Sequence, residues 1–492
     1  MPVLTMIQNG NLREIPFEGT KLLHDVLKEA KVLLDHPCGG KGTCGKCAVV
    51  LEGCVSEPNE AEKKAGSRLS CQAVLLGDAT VWLDGDTALQ QIEVSGEFFS
   101  AQKPMEGTFG AAIDIGTTTM ALKLCRLADG VVLGSAACAN PQRDIAADVI
   151  GRMEAAMAGS LSQLQAMVLQ AMENLLAQAC EAADLPADRV DVLVITGNTT
   201  MLYLLTGKDP TCLSRSPFLA DCLFGFETTI LGRKAFLPPC MDAFVGADIT
   251  CAVLASGMTN VPGPTLLCDI GTNGEIALWK HDTHYVTSTA AGPAFEGAGI
   301  SCGCGSIRGA IDKVWLEGDT LCTHTIADAP AVGLCGSGLI DAVAALLIRE
   351  DVSETGAMGE KEVAVAEAVK LTRKDIRAVQ LAKAAIAAGI QTLLETTGTQ
   401  ETEITDFYIC GGFGTHLNLS SAVTIGLIPE LLAKKAKVLG NGALSGAVKL
   451  MLDRDCHGQA QTLAACAKQM NLGGNPQFNE NYIDQMLFPE RE

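Results

Sequence analysis

No charge-free apolar run in this chain reaches the roughly 20 residues that a membrane-spanning helix needs, so a soluble globular protein is expected despite a hydrophobic content of 48%. The opening stretch, residues 1–16, contains Asn, Arg and Glu and lacks the apolar core of a secretory signal, which points to a cytoplasmic protein. Basic residues are scarce: 36 Lys and Arg stand against 57 Asp and Glu, a formal net charge of −21. A nucleic-acid binder wants the opposite balance, so nucleic acid is excluded as a partner. The acidic excess serves solubility and can steer a basic partner patch toward the protein. No tandem repeat of short period is present, so nothing points to a solenoid.

Cysteine, by contrast, is plentiful, at 20 residues. A disulfide scaffold does not fit so long a chain without a secretory signal. Most cysteines, among them Cys125, Cys180, Cys222 and Cys268, stand singly in apolar or Ala-rich surroundings. They read as small buried hydrophobes in a reducing, anaerobic cytoplasm. Cys302 and Cys304 form a C-x-C pair in a glycine loop and read as buried thiols.

One group differs. Cys38-Gly-Gly-Lys-Gly-Thr-Cys44-Gly-Lys-Cys47 is a C-x5-C-x2-C run, and Cys71 follows downstream. Thiolates are soft ligands that suit iron–sulfur clusters or zinc. The glycines favour iron–sulfur, because Gly39, Gly40, Gly42 and Gly45 let the backbone curl round a cluster and aim N–H groups at its sulfurs. Cys38, Cys44, Cys47 and Cys71 are therefore the expected ligands of a 2Fe-2S cluster.

A length of 492 residues exceeds one ordinary core, and about two to four domains are expected. Val3–Ile7 and Leu12–Ile15 flank Asn9-Gly10, a hairpin signal. Residues 20–30 have helical spacing, with Leu22, Leu23, Val26 and Leu27 on one face. Strands are expected over 48–52, 68–76 and 79–83. Hairpin, helix, metal loop and strands in this order resemble a β-grasp ferredoxin over residues 1–92. The x5 spacing departs from the plant-type x4 loop and looks like the other 2Fe-2S ferredoxin subgroup. Residues 93–108 read as a short polar linker and hinge. From 109 to 492 strands, glycine turns and Ala/Leu helices alternate, which argues an α/β architecture. Helices are expected over 160–183 and 375–396, the second opened by a capping box at Thr372-Arg-Lys-Asp375.

Two strand-turn phrases match: Asp114-Ile-Gly116-Thr117-Thr118-Thr119 and Asp269-Ile-Gly271-Thr272-Asn273-Gly274-Glu275. A strand that ends in Asp and runs into glycine and hydroxyls offers N–H and O–H groups to a phosphate, and the Asp can hold Mg²⁺ through water. Their recurrence suggests a duplicated domain, with Asp114 facing Asp269 across a cleft and Glu275 orienting water or metal. Gly336-Ser337-Gly338 opens an apolar helix, whose N-terminus suits an anion. Late in the chain, Gly411-Gly412-Phe413-Gly414 follows another strand, and its glycines let the backbone approach a flat base and ribose.

In this order the phrases resemble the actin/sugar-kinase/Hsp70 (ASKHA) ATPase superfamily, with ATP and Mg²⁺ between two duplicated lobes. The fold expected is thus a multidomain α/β chain: an N-terminal β-grasp ferredoxin followed by a two-lobe actin-like ATPase. That fusion resembles the reductive activators of corrinoid proteins, found beside corrinoid-dependent methyltransferases. Ile195-Thr-Gly-Asn-Thr-Thr-Met201, Ala291-Gly-Pro-Ala-Phe-Glu-Gly297 and Gln380-Leu-Ala-Lys-Ala-Ala-Ile386 resemble that family too. The resemblance implies an ATP-hydrolysing iron–sulfur activase that reduces a corrinoid from Co(II) to Co(I), one electron at a time. It implies a corrinoid protein and an upstream electron donor as partners, and is compatible with a homodimer. In this reading Asp114 and Asp269 hold Mg²⁺, Thr117, Thr118 and Thr119 the phosphates, and Gly411 to Gly414 the adenosine. No room for an extra middle domain is expected between linker and ATPase. The alternatives are an ATP-driven electron donor to another low-potential enzyme such as a dehydratase, a redox-regulated sugar kinase, and a partner-binding module without catalysis. The intact Asp114 and Asp269 phrases count against the last.

Overall fold

Leu4 and Met6 alternate with half-buried neighbours, the period that turns one face of a strand inward. They belong to Val3–Gln8, which pairs antiparallel with Asn11–Pro16 so that Gln8 faces Asn11, the hairpin expected at this point. The computed structural model describes residues 1–8, 11–30, 32, 40–42, 47–83, 96, 99–411 and 416–490. The chain divides into two units, Met1–Leu89 with Pro141–Gly159, and Gln90–Asn140 with Ser160–Glu492.

In the first unit the sheet order is Asn11–Pro16, Val3–Gln8, Val74–Leu83, Ala48–Val55 and Arg68–Leu69, with Val3–Gln8 parallel to Val74–Leu83. The helix Leu23–Glu29 buries Leu23, Val26 and Leu27 against Leu4, Leu75 and Val81. It starts later than its apolar spacing implies, because Lys21 and Leu22 add a short strand opposite Leu75 and Val74. The strand expected over 68–76 breaks after Leu69. There the N–H groups of Gln72 and Ala73 both turn back to the Leu69 carbonyl, and Cys71 sits in that turn. Pro141–Gly159 packs in the same unit. Its helix Val149–Ala155 is capped by Asp148, and Asp144 pairs with Lys28.

The second unit holds two six-stranded sheets. In the first, Phe109–Ile115, Thr119–Arg126 and Val132–Ala139 form an antiparallel meander, and Val190–Gly197 joins parallel to Phe109–Ile115. In the second, Thr265–Ile270, Gly274–Lys280 and Thr283–Thr289 repeat the meander, and Asp406–Cys410 joins parallel to Thr265–Ile270. This is the duplicated two-lobe arrangement that the paired phrases imply.

Side chains alternate across these strands. Leu267 and Ala277 share one core with Ala112 and Val194 of the first sheet, while Leu266, Cys268 and Ile276 join a different core. The shared core holds two helices, Ala247–Ser256 and Gly442–Leu452, packed on each other. A Cβ at Gly446 would lie 1.9 Å from the Cys251 carbonyl oxygen, so only glycine permits this approach. The long helices Leu161–Ala182 and Arg373–Thr396 pack on the first and second meander respectively. The second opens with the expected Thr372/Asp375 capping box.

Of the residues read as a hinge, 99–105 are pinned to this unit. The Gln102 N–H donates to Leu452, the Met105 N–H to Met451, and Lys449 lies over the Phe99 ring. Residues 93–95, 97 and 98 of that stretch lie outside the described residues. Among the described residues no helix is long and apolar enough to cross a membrane.

Candidate active site and thiolate centre

Cys47 and Cys71 are both buried in the first unit, with sulfurs 3.3 Å apart. That is far longer than the about 2.05 Å of a disulfide. It approaches the about 3.8 Å edge of a tetrahedron with 2.3 Å metal–sulfur bonds. The two loops are tied from both sides. The Ser70 N–H donates to the Cys47 carbonyl, and Ala48 faces Leu69 across the strand pair. Below them Glu62 accepts from Arg68 Nε at 2.8 Å, from the Leu69 N–H at 3.1 Å and from the Asn59 N–H at 3.0 Å. Gln72 Nε2 donates to the Gly40 carbonyl at 2.6 Å, which holds Gly40 against the Cys71 turn. Burial pushes the Cys47 thiol up to about 12, so Cys47 needs a cation beside it to become thiolate. These observations fit a cluster-binding loop. Cys38 and Cys44 lie outside the described residues.

The second unit has a cleft that is partly open to solvent. Both matched turns line it. Gly116, Thr117, Thr118 and Thr119 come from the first, and Gly271, Thr272 and Asn273 from the second. Asp114, Asp269 and Glu275 stand behind them, and Gly336 and Gly411 complete the expected residues at the wall. At Gly411, φ is +116° and a Cβ would meet the Ile270 oxygen at 2.4 Å, so glycine is required where the chain crosses the Asp269 strand. Two expected residues lie elsewhere. The Ser337 hydroxyl turns away and donates to the Asp312 carbonyl at 2.9 Å. Gly274 packs beneath the turn, where a Cβ would strike Thr289 and Ile386. Gly412, Phe413 and Gly414 lie outside the described residues. Cys304 borders the cleft, and both it and Cys302 are half-buried.

The first turn is braced by amides. Asn140 Nδ2 donates to the Gly116 carbonyl at 2.8 Å, Asn198 Nδ2 to Thr117 Oγ1 at 3.0 Å and Asn441 Nδ2 to Asp114 Oδ2 at 3.0 Å. Asn198 and Asn441 also cap the helices Thr199–Thr206 and Gly442–Leu452, so each amide fixes a turn and a helix start at once. The second turn is braced by acids. Glu275 lies opposite Asp269 in register, and Glu296 accepts from the Thr272 hydroxyl at 2.7 Å.

Asp248, in the first turn of Ala247–Ser256, adds another carboxyl at the cleft wall. Burial, followed by the charges of Asp114 and Asp269, pushes Asp248 up to about 8. Burial pushes Asp114 up to about 7, against the bond from Asn441, and Asp269 up to about 6. Glu275 is held well above the usual carboxylate range by burial and by Asp248 and Asp269. Near-neutral values mean that these groups can lose their protons to water when a cation enters the cleft. Among the described residues no group of three or more ligating side chains is close enough to hold a metal by itself. Helices starting at Thr199, Ala247, Gly336 and Gly442 turn their positive ends to the same cleft, which suits a polyanion.

Asp248, Asn140 and Asn441 fall in no phrase that the sequence singles out. Asn198 and Glu296 lie inside resemblance phrases without an assigned role. The detectable signal is a glycine beside a polar residue before an apolar helix, Gly246-Ala-Asp248 and Asn441-Gly442.

Comparison with known proteins covers most of the chain. Residues 6–76 match the 2Fe-2S iron-sulfur cluster binding domain, 109–261 the RACo middle region, and 263–492 the C-terminal domain of RACo, the ASKHA domain. The middle region begins at residue 109, directly after the expected linker, and coincides with the segment that carries the first meander. The corrinoid activation enzyme RamQ of Eubacterium limosum is 31% identical over 430 residues, 80% of this chain and 72% of that protein. The Co(II) methylated amine-specific corrinoid protein reductase of Methanosarcina barkeri is 28% identical over 268 residues, 50% of this chain and 49% of that one. A solved reductive activator for corrinoid,iron-sulfur protein superposes with a TM-score of 0.73 at 26% identity, covering 99% of this chain and 98% of its own.

Proposed function

The chain belongs to the family of reductive activators of corrinoid proteins, and on that premise we propose that it couples ATP to the one-electron reduction of a corrinoid protein from Co(II) to Co(I). The observation that carries this reading is that one chain holds both a buried cysteine pair with a metal-sized separation and a cleft lined by two phosphate-type turns. Cys38, Cys44, Cys47 and Cys71 would hold the 2Fe-2S cluster, which supplies one electron at a time when bound. An upstream donor refills it.

In the cleft, Thr117, Thr118 and Thr119 and the N–H groups of both turns would bind the phosphates. Asp114 and Asp269 would hold Mg²⁺ through its water shell, since Mg²⁺ keeps most of its waters. Glu275 and Asp248, ionised once the cation is in place, would accept hydrogen bonds from those waters. Gly411 lets the backbone pass close enough for the nucleoside wall. Electron transfer from an ordinary donor to Co(II) is uphill, and a carrier alone cannot change that equilibrium. ATP can, when the nucleotide-bound protein favours the corrinoid state that is easier to reduce. About 1.4 kcal/mol of differential binding shifts such an equilibrium tenfold.

The test is anaerobic visible spectroscopy of a Co(II) corrinoid protein mixed with the reduced chain, with and without Mg-ATP. The expected result is a Co(I) band only with ATP. No Co(I), together with ATP hydrolysis stimulated by a sugar, would replace this reading with a kinase.

A further inference from the structure

Glu296 ends the short turn Pro293–Glu296 and reaches between the two phosphate-type turns. Its Oε2 accepts from the Thr118 hydroxyl at 2.5 Å, and its Oε1 accepts from the Thr272 hydroxyl at 2.7 Å. The two hydroxyl oxygens lie 3.3 Å apart. A hydroxyl owns a single proton. With both protons given to Glu296, neither threonine has one left for the other or for an incoming oxygen. Thr118 belongs to the first lobe and Thr272 to the second, so a single carboxylate joins the lobes at the point where their turns come closest.

A carboxylate with its two oxygens on two donors has the charge and the acceptor geometry of a phosphate edge. We infer that Glu296 is a built-in competitor for the phosphate tail: it occupies the acceptor position that a terminal phosphate would take, and a nucleotide must displace it to reach Thr118 and Thr272. A nucleoside triphosphate brings enough acceptor oxygens and charge to do so. A monophosphate does not reach the pair of turns and leaves the bridge standing. Competition for two protons thus weakens ATP binding and leaves AMP binding as it is. This inference rests on the nucleotide reading of the cleft.

The experiment is calorimetric titration of the full-length, cluster-loaded chain with ATP and with AMP in the presence of Mg²⁺, for the wild type, Glu296→Gln and Glu296→Ala. The amide of Glu296→Gln keeps the volume but loses the charge and one of the two acceptors, and charge-assisted bonds are about twice as strong as neutral ones. Both variants are expected to bind ATP roughly tenfold more tightly, with AMP unchanged, the scale of one or two charge-assisted hydrogen bonds lost to a competitor. A purely structural role for Glu296 would instead weaken both nucleotides or neither. ATP affinity that is unchanged or weaker in Glu296→Gln, with the wild type still preferring ATP over AMP, overturns the competitor role and leaves the nucleotide site intact. A wild type that binds ATP no better than AMP overturns both, starting with the nucleotide reading itself.

Discussion

Opposite Asp114 in the first lobe stands Ala121; opposite Asp269, at the same place in the second lobe, stands Glu275. The two lobes repeat one strand order, yet they brace their turns with different chemistry. The first uses Asn140, Asn198 and Asn441, neutral groups that fix backbone and hydroxyl positions without adding charge. The second uses Glu275, whose carboxyl burial pushes up, and Glu296, whose charge lies beside Asp269 and which also takes the Thr118 hydroxyl of the first turn. Duplication thus supplied two similar turns, and the residues around them made one a rigid hydrogen-bonding wall and the other an acidic wall suited to a hydrated cation. Asn441 reaches Asp114 from the start of the helix Gly442–Leu452, so the asymmetry also links the halves.

The largest expected effect comes from removing each aspartate in turn. Asp114→Asn and Asp269→Asn should each lower ATP turnover on the order of 100-fold, the scale of losing one preorganised electrostatic partner. Phosphate release measures this, and the visible spectrum of the cluster should not change in either variant. If turnover survives in one of them, that lobe's turn is not in the phosphate site and the comparison collapses to a single working lobe.

A smaller effect is expected where the halves share their core. Alanine at Gly446 gains about 1 kcal/mol of helix propensity. Its Cβ, however, would lie 1.9 Å from the Cys251 oxygen, and forcing the helices apart costs about 1–3 kcal/mol or more. The clash wins. Gly446→Ala should melt several degrees below the wild type, whereas Gly458→Ala, which meets open space in the helix Asp455–Ala465, should melt at or above it. Equal melting points would mean that the crossing at Gly446 is not a tight one.

The smallest effect sharpens the difference between the amide and acid walls. Asp114 titrates near 7 and Asp248 near 8, so Mg²⁺-dependent turnover should climb between pH 6 and pH 8 as they ionise. The bond from Asn441 holds Asp114 down, so Asn441→Ala should move that climb to higher pH. Stability runs the other way. Both carboxyls are raised in the folded protein, which therefore binds their protons more tightly than the unfolded chain does. Without a cation, stability should fall as pH rises from the ordinary carboxylate range through 7 and 8. Asp114→Asn should lose less over the same window, as thermal unfolding at pH 5 and pH 8 can decide. An identical pH slope in the two proteins would mean that Asp114 is not buried with its proton.

The parts of this molecule that could be read without coordinates are those whose residues are neighbours in the chain. The thiolate run from Cys38 to Cys47, the hairpin before it, the phrases at Asp114 and Asp269 and the capping box at Thr372 all fall within a few residues. Spacing, turn chemistry and periodicity act at that range. Even there the local pattern misled where tertiary pairing competed: Lys21 and Leu22 have helical spacing but complete a sheet, and the run after Leu69 is apolar enough for a strand but turns to present Cys71. Ser337 sits in a helix-opening phrase that suits an anion, yet its hydroxyl is used by the Asp312 carbonyl. The sequence by itself thus determined the division into a ferredoxin-like part and a duplicated ATPase, and the two turns that line the cleft. Only the tertiary structure decided what surrounds them. Asp248, Asn441 and Glu296 come from separate helix starts and a loop, and their immediate neighbours do not show that they share one cleft. The glycines beside Asp248 and Asn441 mark helix starts but not where those starts meet. They meet because two sheets close on one pair of helices, and that packing depends on the buried surface of the whole unit rather than on any short stretch of chain.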